Sequence, residues 1–346
     1  MEYRQLGRTG IEVSAYCLGS MTWGTQNSEA EGHAQIDAAL EAGITFIDTA
    51  EMYPTTPLSA ETQGRTEEII GTWIAQSGRR DDVVIATKIV GDGYAAIRDG
   101  APISPATITQ AVEGSLRRLQ TDVIDLYQLH WPNRGSYHFR KWHTFDASGQ
   151  DRRAPDDIAA CLDTLDGLVT AGKIRAIGLS NESAWGTMQF LSIAEANGWP
   201  RVASIQNEYS LLCRQYDLDL AEVSHHEDVG LLAWSPLAAG ILTGKYLDGS
   251  TPAGSRKSIN AGLGGRLTDR VEAPTRAYVD LARSHGLDPA QMALAFCAQQ
   301  PFMTSVIFGA TTMDQLATAI SAADMTLSDE VLNGIAAIHR AHPIPM

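Results

Sequence analysis

Short apolar runs alternate with longer amphipathic stretches along the whole chain. That alternation predicts strands and helices in turn. Strand-like runs occupy residues 15–18, 45–48, 83–88, 124–130, 174–180, 202–206, 231–235 and 304–308. Helical patterns cover 29–42, which stops at Gly43, then 66–73, 104–119, 155–172, 183–196, 216–227 and 312–323. Thr66 is read as the cap of the second of these. Ser104-Pro105 and Asp288-Pro289 each place a capping residue before a proline, the usual opening of a helix. An extra helix is expected from Ser328. Two stretches, 131–154 and 236–267, follow neither period and read as long loops.

Eight strand-helix units imply right-handed crossovers and a parallel sheet. Eight units suit a closed (β/α)8 TIM barrel better than an open doubly wound sheet. An open sheet that holds a dinucleotide carries GxGxxG after its first strand, whereas here the chain reads Gly19-Ser20-Met21-Thr22-Trp23-Gly24. No linker divides the sequence, so residues 1–346 are expected to form one barrel domain. The long loops follow strands 4 and 7, on the barrel face where active sites lie.

A chain of 346 residues can bury one large core. Its apolar share of 44% and charged share of 19% are those of a globular protein. The formal charge of −15 argues against nucleic acid or an anionic membrane surface as partner. Cys17, Cys161, Cys213 and Cys297 are scattered without metal-ligand spacing, so reduced buried thiols are expected. The polar start argues against a signal peptide, and no run reaches the roughly 18 apolar residues that span a bilayer. A cytoplasmic protein is the expectation.

Asp48, Lys88 and His130 each end a strand-like run, and Tyr53 follows the first of these closely. In a parallel barrel the C-terminal strand ends bring such residues together. A tyrosine beside a lysine, with a carboxylate behind the lysine and a histidine opposite, can move a proton to or from a carbonyl oxygen. An adjacent ammonium favours the phenolate. A buried ammonium in turn needs a partner, which Asp48 can be. Each residue alone has a plainer reading: Asp48 as a loop cap, Lys88 as a snorkelling strand end, His130 as a rim histidine. Trp131, Tyr137 and Trp142 either wall a pocket or pack the long loop down. His225-His226 lacks the spacing of a metal site, and no metal is expected.

Several stretches, in one order, resemble the aldo-keto reductase superfamily. They are 18–24, 42–50, 64–71, 125–132, 172–181, 205–207, 234–240 and 309–316, and the likeness runs over nearly the whole chain. The subgroup resembled is the bacterial reductases related to potassium-channel β subunits. The resemblance implies a (β/α)8 barrel with an N-terminal hairpin that binds NADPH without a Rossmann fold. It implies Tyr53 as general acid, Lys88 and Asp48 as its tuning pair and His130 as substrate orienter. Ser180, Asn181 and Gln206 match residues that hold the nicotinamide carboxamide, and Trp234 matches the ring that stacks on it. Ser235, Pro236, Leu237, Ala238 and Gly240 match the pyrophosphate loop. Ser20 and Met21, with Asp48, match contacts near the ribose and nicotinamide. Arg256 matches a basic residue at the adenosine 2′-phosphate, and Lys245 is a second cation. Gly309, Thr311 and Gln315 match the adenosine end. There the chain departs from the pattern: Thr318 and Ala319 stand where relatives often carry an acidic or amide pair, which leaves NADH possible. Trp23, Tyr53, His130 and Trp131 are the expected substrate-pocket residues.

The resulting expectation is an NADPH-dependent reductase of a small aldehyde or ketone. An alternative is an NADPH-binding, redox-sensing protein of the channel β-subunit kind with slow turnover. A metal-dependent barrel hydrolase or isomerase is a third reading, for which the sequence offers no ligand cluster. Substrate identity, direction and oligomeric state are not encoded in these patterns.

Overall fold

Two short strands, β1 (Tyr3–Gln5) and β2 (Glu12–Ser14), pair antiparallel at the start of the chain. Their hairpin packs Leu6, Ile11 and Val13 into a cluster with Cys17, Phe46, Ala86, Leu126, Ala176, Leu232 and Ile307 of the barrel strands. The computed structural model describes residues 1–346. In it β3 (Tyr16–Gly19), β4 (Phe46–Asp48), β5 (Val84–Ile89), β6 (Ile124–Leu129), β7 (Ile174–Ser180), β8 (Val202–Glu208), β9 (Gly230–Trp234) and β10 (Met303–Phe308) close into a parallel barrel. β10 pairs with both β9 and β3, which completes the ring.

The helices are α1 (Glu29–Glu41), α2 (Arg65–Ser77), α3 (Pro105–Leu119), α4 (Ala154–Thr170), α5 (Ala184–Asn197), α6 (Asp219–Glu227), α7 (Arg256–Ile259), α8 (Glu272–Ser284), α9 (Pro289–Ala298), α10 (Met313–Ser321) and α11 (Asp329–Ala341). The larger apolar cluster joins helix faces to the outward-facing strand residues, such as Tyr127, Leu129, Ile177 and Leu179. Ser104 caps α3 through the Thr107 N–H, and Asp288 caps α9 through the N–H groups of Ala290 and Gln291.

Side chains alternate along a strand, so the inward face can be read upward from the hairpin end. Phe46 is followed by Asp48, Ala86 by Lys88, Leu126 by Gln128 and Leu232 by Trp234. The barrel floor is therefore apolar and the layer above it polar. Gly178 keeps room in that layer, because a Cβ there would lie 3.0 Å from both Gln128 Cγ and Ser204 Oγ.

The eight strand-helix units and the long loops after the fourth and seventh barrel strands agree with the sequence pattern, and the hairpin agrees with what the resemblance implies. One local expectation needs correction, and one helix is absent from the sequence pattern. Thr66 does not cap α2; the helix starts at Arg65 after Gly64, whose φ of 77° is left-handed. The buried Thr66 hydroxyl instead meets Thr49 Oγ1 at 2.7 Å and fastens α2 to the loop after β4. Helix α8 has no counterpart in the sequence pattern; it carries Tyr278, Val279 and Ala282 into the core.

Candidate active site

Lys88 is fully buried at the upper end of β5. Its ammonium donates to Asp48 Oδ2 at 2.8 Å and to the Thr49 carbonyl at 2.6 Å. The same nitrogen lies 4.9 Å from the centre of the Tyr53 ring. The His130 imidazole stands edge-on to Tyr53 with ring centres 5.9 Å apart. Thus Asp48, Tyr53, Lys88 and His130 converge on one side of the barrel mouth. Asp48 is held from its other oxygen by the Gln206 side-chain amide at 2.7 Å, and Gln206 also donates to Gln128 Oε1 at 3.2 Å.

Burial sets the protonation states. It raises the Tyr53 phenol above its ordinary value; the Lys88 charge pulls the other way, without winning, and Asp48 adds to the rise. The neighbouring ammonium favours the phenolate, as expected, but burial outweighs it and keeps Tyr53 a neutral acid. Burial pulls the Lys88 ammonium down, but the Asp48 charge, Tyr53 and the Asp48 hydrogen bond outweigh it, so Lys88 stays charged. Burial, then the Lys88 charge, push His130 well below the usual imidazole range. His130 Nδ1 is buried without a partner. A neutral acid, a fixed cation and a neutral imidazole result.

Beside this group, Asn181 sits at a left-handed φ of 53° just past β7. Its amide nitrogen donates to the His130 carbonyl at 2.8 Å and to Ser180 Oγ at 3.1 Å, while its Oδ1 is buried with no donor. Ser180 Oγ donates to the Gln206 carbonyl, and Ser20 Oγ to the Asp48 carbonyl. Trp234 is half-buried at the end of β9, with its indole nitrogen unpartnered.

The remaining predicted cofactor residues divide by loop. Ser235, Pro236, Leu237, Ala238 and Gly240 form a tight turn after β9, with Ser235, Ala238 and Gly240 at positive φ. Lys245 lies against the Tyr246 ring at 5.2 Å. Arg256, at the start of α7, reaches across the mouth to Thr56 Oγ1 at 3.2 Å and to the Met21 sulfur at 3.7 Å, and it makes no ion pair. Burial, then Arg266, pull its pKa down to about 10. Gly309 follows β10, and Thr311 donates through both its N–H and its hydroxyl to Gln315 Oε1 at 3.0 Å. Thr318 bonds back to its own helix at the Asp314 carbonyl, and Ala319 is buried.

Of the expected pocket residues, Trp131 is half-buried with its ring 5.0 Å from His130. Trp23 is a correction. It is fully buried, donates to Gln35 Oε1 at 2.9 Å and packs where Gly32 leaves space, so it presents no face to the mouth. Tyr137 packs on His138 and Phe145 within the long loop, and Trp142 meets His143. Phe139, which no sequence pattern singles out, stands between Trp131 at 6.1 Å and Trp234 at 6.0 Å and is exposed. Gln128 is a further residue that the sequence reading misses, although period two puts it on the same strand face as His130.

A closed parallel barrel with an ion pair, a phenol and an imidazole at the C-terminal strand ends is the plan of a barrel enzyme. The chain belongs to the aldo/keto reductase family, whose model matches residues 15–340, and it is thereby an oxidoreductase. It is 46% identical over 351 residues to "Protein tas" of Escherichia coli (strain K12), covering all of this chain and 99% of that protein. It is 36% identical to "Uncharacterized oxidoreductase YrpG" of Bacillus subtilis (strain 168), over 96% of this chain and 94% of that one. It is 31% identical to "Probable voltage-gated potassium channel subunit beta" of Oryza sativa subsp. japonica, over 99% and 98%. No helix is long and apolar enough to cross a membrane.

Proposed function

We propose that this chain reduces an aldehyde or ketone to the alcohol, reversibly, with NADPH as the reductant and Tyr53 as the proton donor. The observation that carries the reading is the buried Lys88 ammonium, fixed on Asp48 at 2.8 Å and set 4.9 Å from the Tyr53 ring. When bound, the reduced nicotinamide supplies the hydride that goes to the carbonyl carbon.

The chain's own residues do the rest. The Tyr53 hydroxyl gives its proton to the carbonyl oxygen, and Lys88 stabilises the phenolate left behind until solvent reprotonates it. Asp48 keeps Lys88 charged and in place. His130, neutral, orients the oxygen by hydrogen bonding, and Trp131 walls the site.

The residues fit a nicotinamide. Asn181 Oδ1 is a buried acceptor that lacks a donor, which a carboxamide N–H supplies. Ser180 and Gln206 flank it, and Trp234 offers a half-buried ring for stacking. Ser20, Met21 and the turn from Ser235 through Gly240 would hold the ribose and pyrophosphate, with Lys245 and Arg256 on the phosphates and Gly309, Thr311 and Gln315 at the adenosine end.

The test is Tyr53→Phe, assayed against a panel of aldehydes and ketones and titrated with NADPH by tryptophan fluorescence. Turnover is expected to fall about 100- to 10,000-fold with NADPH binding retained. Strong residual turnover would remove Tyr53 from its role. Tight NADPH binding with slow turnover of every carbonyl by the unaltered protein would favour the redox-sensing reading instead.

A further inference from the structure

The Glu208 carboxylate, buried at the end of β8, receives two guanidinium groups at once. Arg140 Nη1 reaches Oε2 and Arg266 Nε reaches Oε1, both at 2.7 Å. Arg140 comes from the loop after β6 and Arg266 from the loop after β9, so the two long loops share one anion. Arg266 is otherwise well satisfied: it donates to the Leu263 carbonyl at 2.9 Å and to Ser235 Oγ at 3.4 Å, and it lies 5.6 Å from the centre of the Trp234 ring.

Arg140 is not satisfied. Its Nε is buried with no acceptor, and Nη1 makes its only hydrogen bond. The Nε and Nη2 groups form the side-on edge of the fork, the edge that grips a carboxylate with two parallel bonds. Gly265 lies over Nε, where a Cβ would stand 3.4 Å away, whereas Nη2, 3.7 Å from where a Gly264 Cβ would lie, is the unbonded nitrogen left open. Two positive charges on one buried carboxylate leave an excess of one, and Arg256 adds another nearby. Burial, first, and then Arg266 hold Arg140 below the ordinary arginine value despite Glu208. This local excess of positive charge stands out in a chain of formal charge −15 and favours an anion there.

The chain neighbour of Arg140 belongs to the aromatic side of the mouth. Phe139 and Arg140 are consecutive residues at left-handed φ values of 56° and 63°, a strained pair of the kind kept at functional sites. Phe139 fills the gap between Trp131, which packs on His130, and Trp234. Arg140 thus follows directly on the wall that faces the reacting groups.

We infer that Arg140 binds an anionic group of the substrate, so that the physiological carbonyl compound carries a carboxylate, with Glu208 and Arg266 positioning the fork. The substrate class rests on the reductase reading; the anion site itself does not. A cofactor phosphate is the other source of the same chemistry, and the experiment separates the two.

The full-length protein and Arg140→Met are assayed with 4-formylbenzoate and its methyl ester at saturating NADPH. Both are also titrated with benzoate and with NADPH by tryptophan fluorescence. The variant is expected to lose about 10- to 100-fold more kcat/KM on the acid than on the ester, and to lose benzoate binding. Arg140→Lys keeps the charge without the fork and should recover only part of the discrimination. Equal losses on acid and ester make Arg140 a packing residue and overturn the inference. Weakened NADPH binding with benzoate binding kept assigns the fork to a cofactor phosphate and also overturns it. Failure of the unaltered protein to bind benzoate does the same. Absence of turnover together with Arg140-dependent benzoate binding would fell the reductase reading alone and leave the anion site standing.

Discussion

Arg98 donates both terminal nitrogens to the Glu51 carboxylate, at 2.7 and 2.6 Å, and so ties the loop after β5 to the segment that carries Tyr53. Glu51 also accepts the Val90 N–H at 2.7 Å, and its own N–H reaches the Lys88 carbonyl. Both side chains are largely buried. The pair touches none of the reacting groups, yet it fixes the backbone two residues before the phenol.

Removing one partner of such a pair strands a charge away from water. Glu51→Gln should lower unfolding free energy by about 3–5 kcal/mol in urea denaturation. It should also lower kcat while leaving NADPH affinity near that of the parent, because the proposed cofactor contacts lie on other loops. A double-mutant cycle with Arg98→Met should return a coupling of about 1 kcal/mol or more. A coupling near zero would show that the two residues do not act as a clasp.

The pH dependence of reduction follows from the states of Tyr53 and His130. On the proposed mechanism Tyr53 acts in its acid form, and burial raises its pKa above the ordinary phenol value. The protonated form therefore persists throughout the neutral range, and kcat should be level from about pH 6 to about pH 9 and decline only above the ordinary value near 10. His130 is held well below the imidazole range, so no limb near the ordinary value of about 6.5 should appear. A rate profile with an inflection there that His130→Gln abolishes would contradict this assignment.

Much of this architecture is legible in the sequence because it rests on short-range periodicity. Asp48, Lys88 and His130 close apolar runs, and a barrel brings strand ends together wherever the intervening helices lie. Ser104-Pro105 and Asp288-Pro289 mark helix starts by chemistry confined to neighbouring residues. Thr66 misleads for the same reason. A threonine before acidic residues looks like a cap, and nothing local tells that Gly64 turns the chain earlier and that Thr49 takes the hydroxyl. Trp23 misleads because the segment after β3 folds back at a bridge between Trp23 and Asn27, turning the indole onto α1. The Glu208 cluster is invisible in the sequence. Its members are 68 and 58 residues from the carboxylate, on loops whose path no period encodes.

His138 gives a stability prediction of definite sign. It is buried, its Nε2 lies 3.0 Å from the Glu182 carbonyl, and burial lowers its pKa to about 4. The unfolded chain, with an ordinary value near 6.5, takes up the proton first as pH falls. The stability is thus intact above about pH 6.5 and lost progressively toward pH 4, by about 3 kcal/mol for this residue. His138→Gln keeps a donor for the carbonyl and cannot titrate. Urea unfolding at pH 7 and at about pH 4.5 should show the variant losing less on acidification than its parent; equal losses would refute the claim.

Arg256 makes a prediction about cofactor choice. Its guanidinium is largely buried, pairs with no carboxylate and rests on Thr56 Oγ1 and the Met21 sulfur, two weak partners for a full charge. A 2′-phosphate offers far better acceptors to the same fork. Arg256→Ala should therefore weaken NADPH about 10- to 100-fold in a fluorescence titration. NADH, which lacks that phosphate, should be affected much less. The Thr318 hydroxyl is spent on the Asp314 carbonyl and Ala319 is buried, so neither offers the adenosine end a side-chain group to compensate. If Arg256→Ala weakens both cofactors equally, the arginine serves the loop's conformation and the phosphate contact falls to Lys245, which Lys245→Ala then tests by the same ratio.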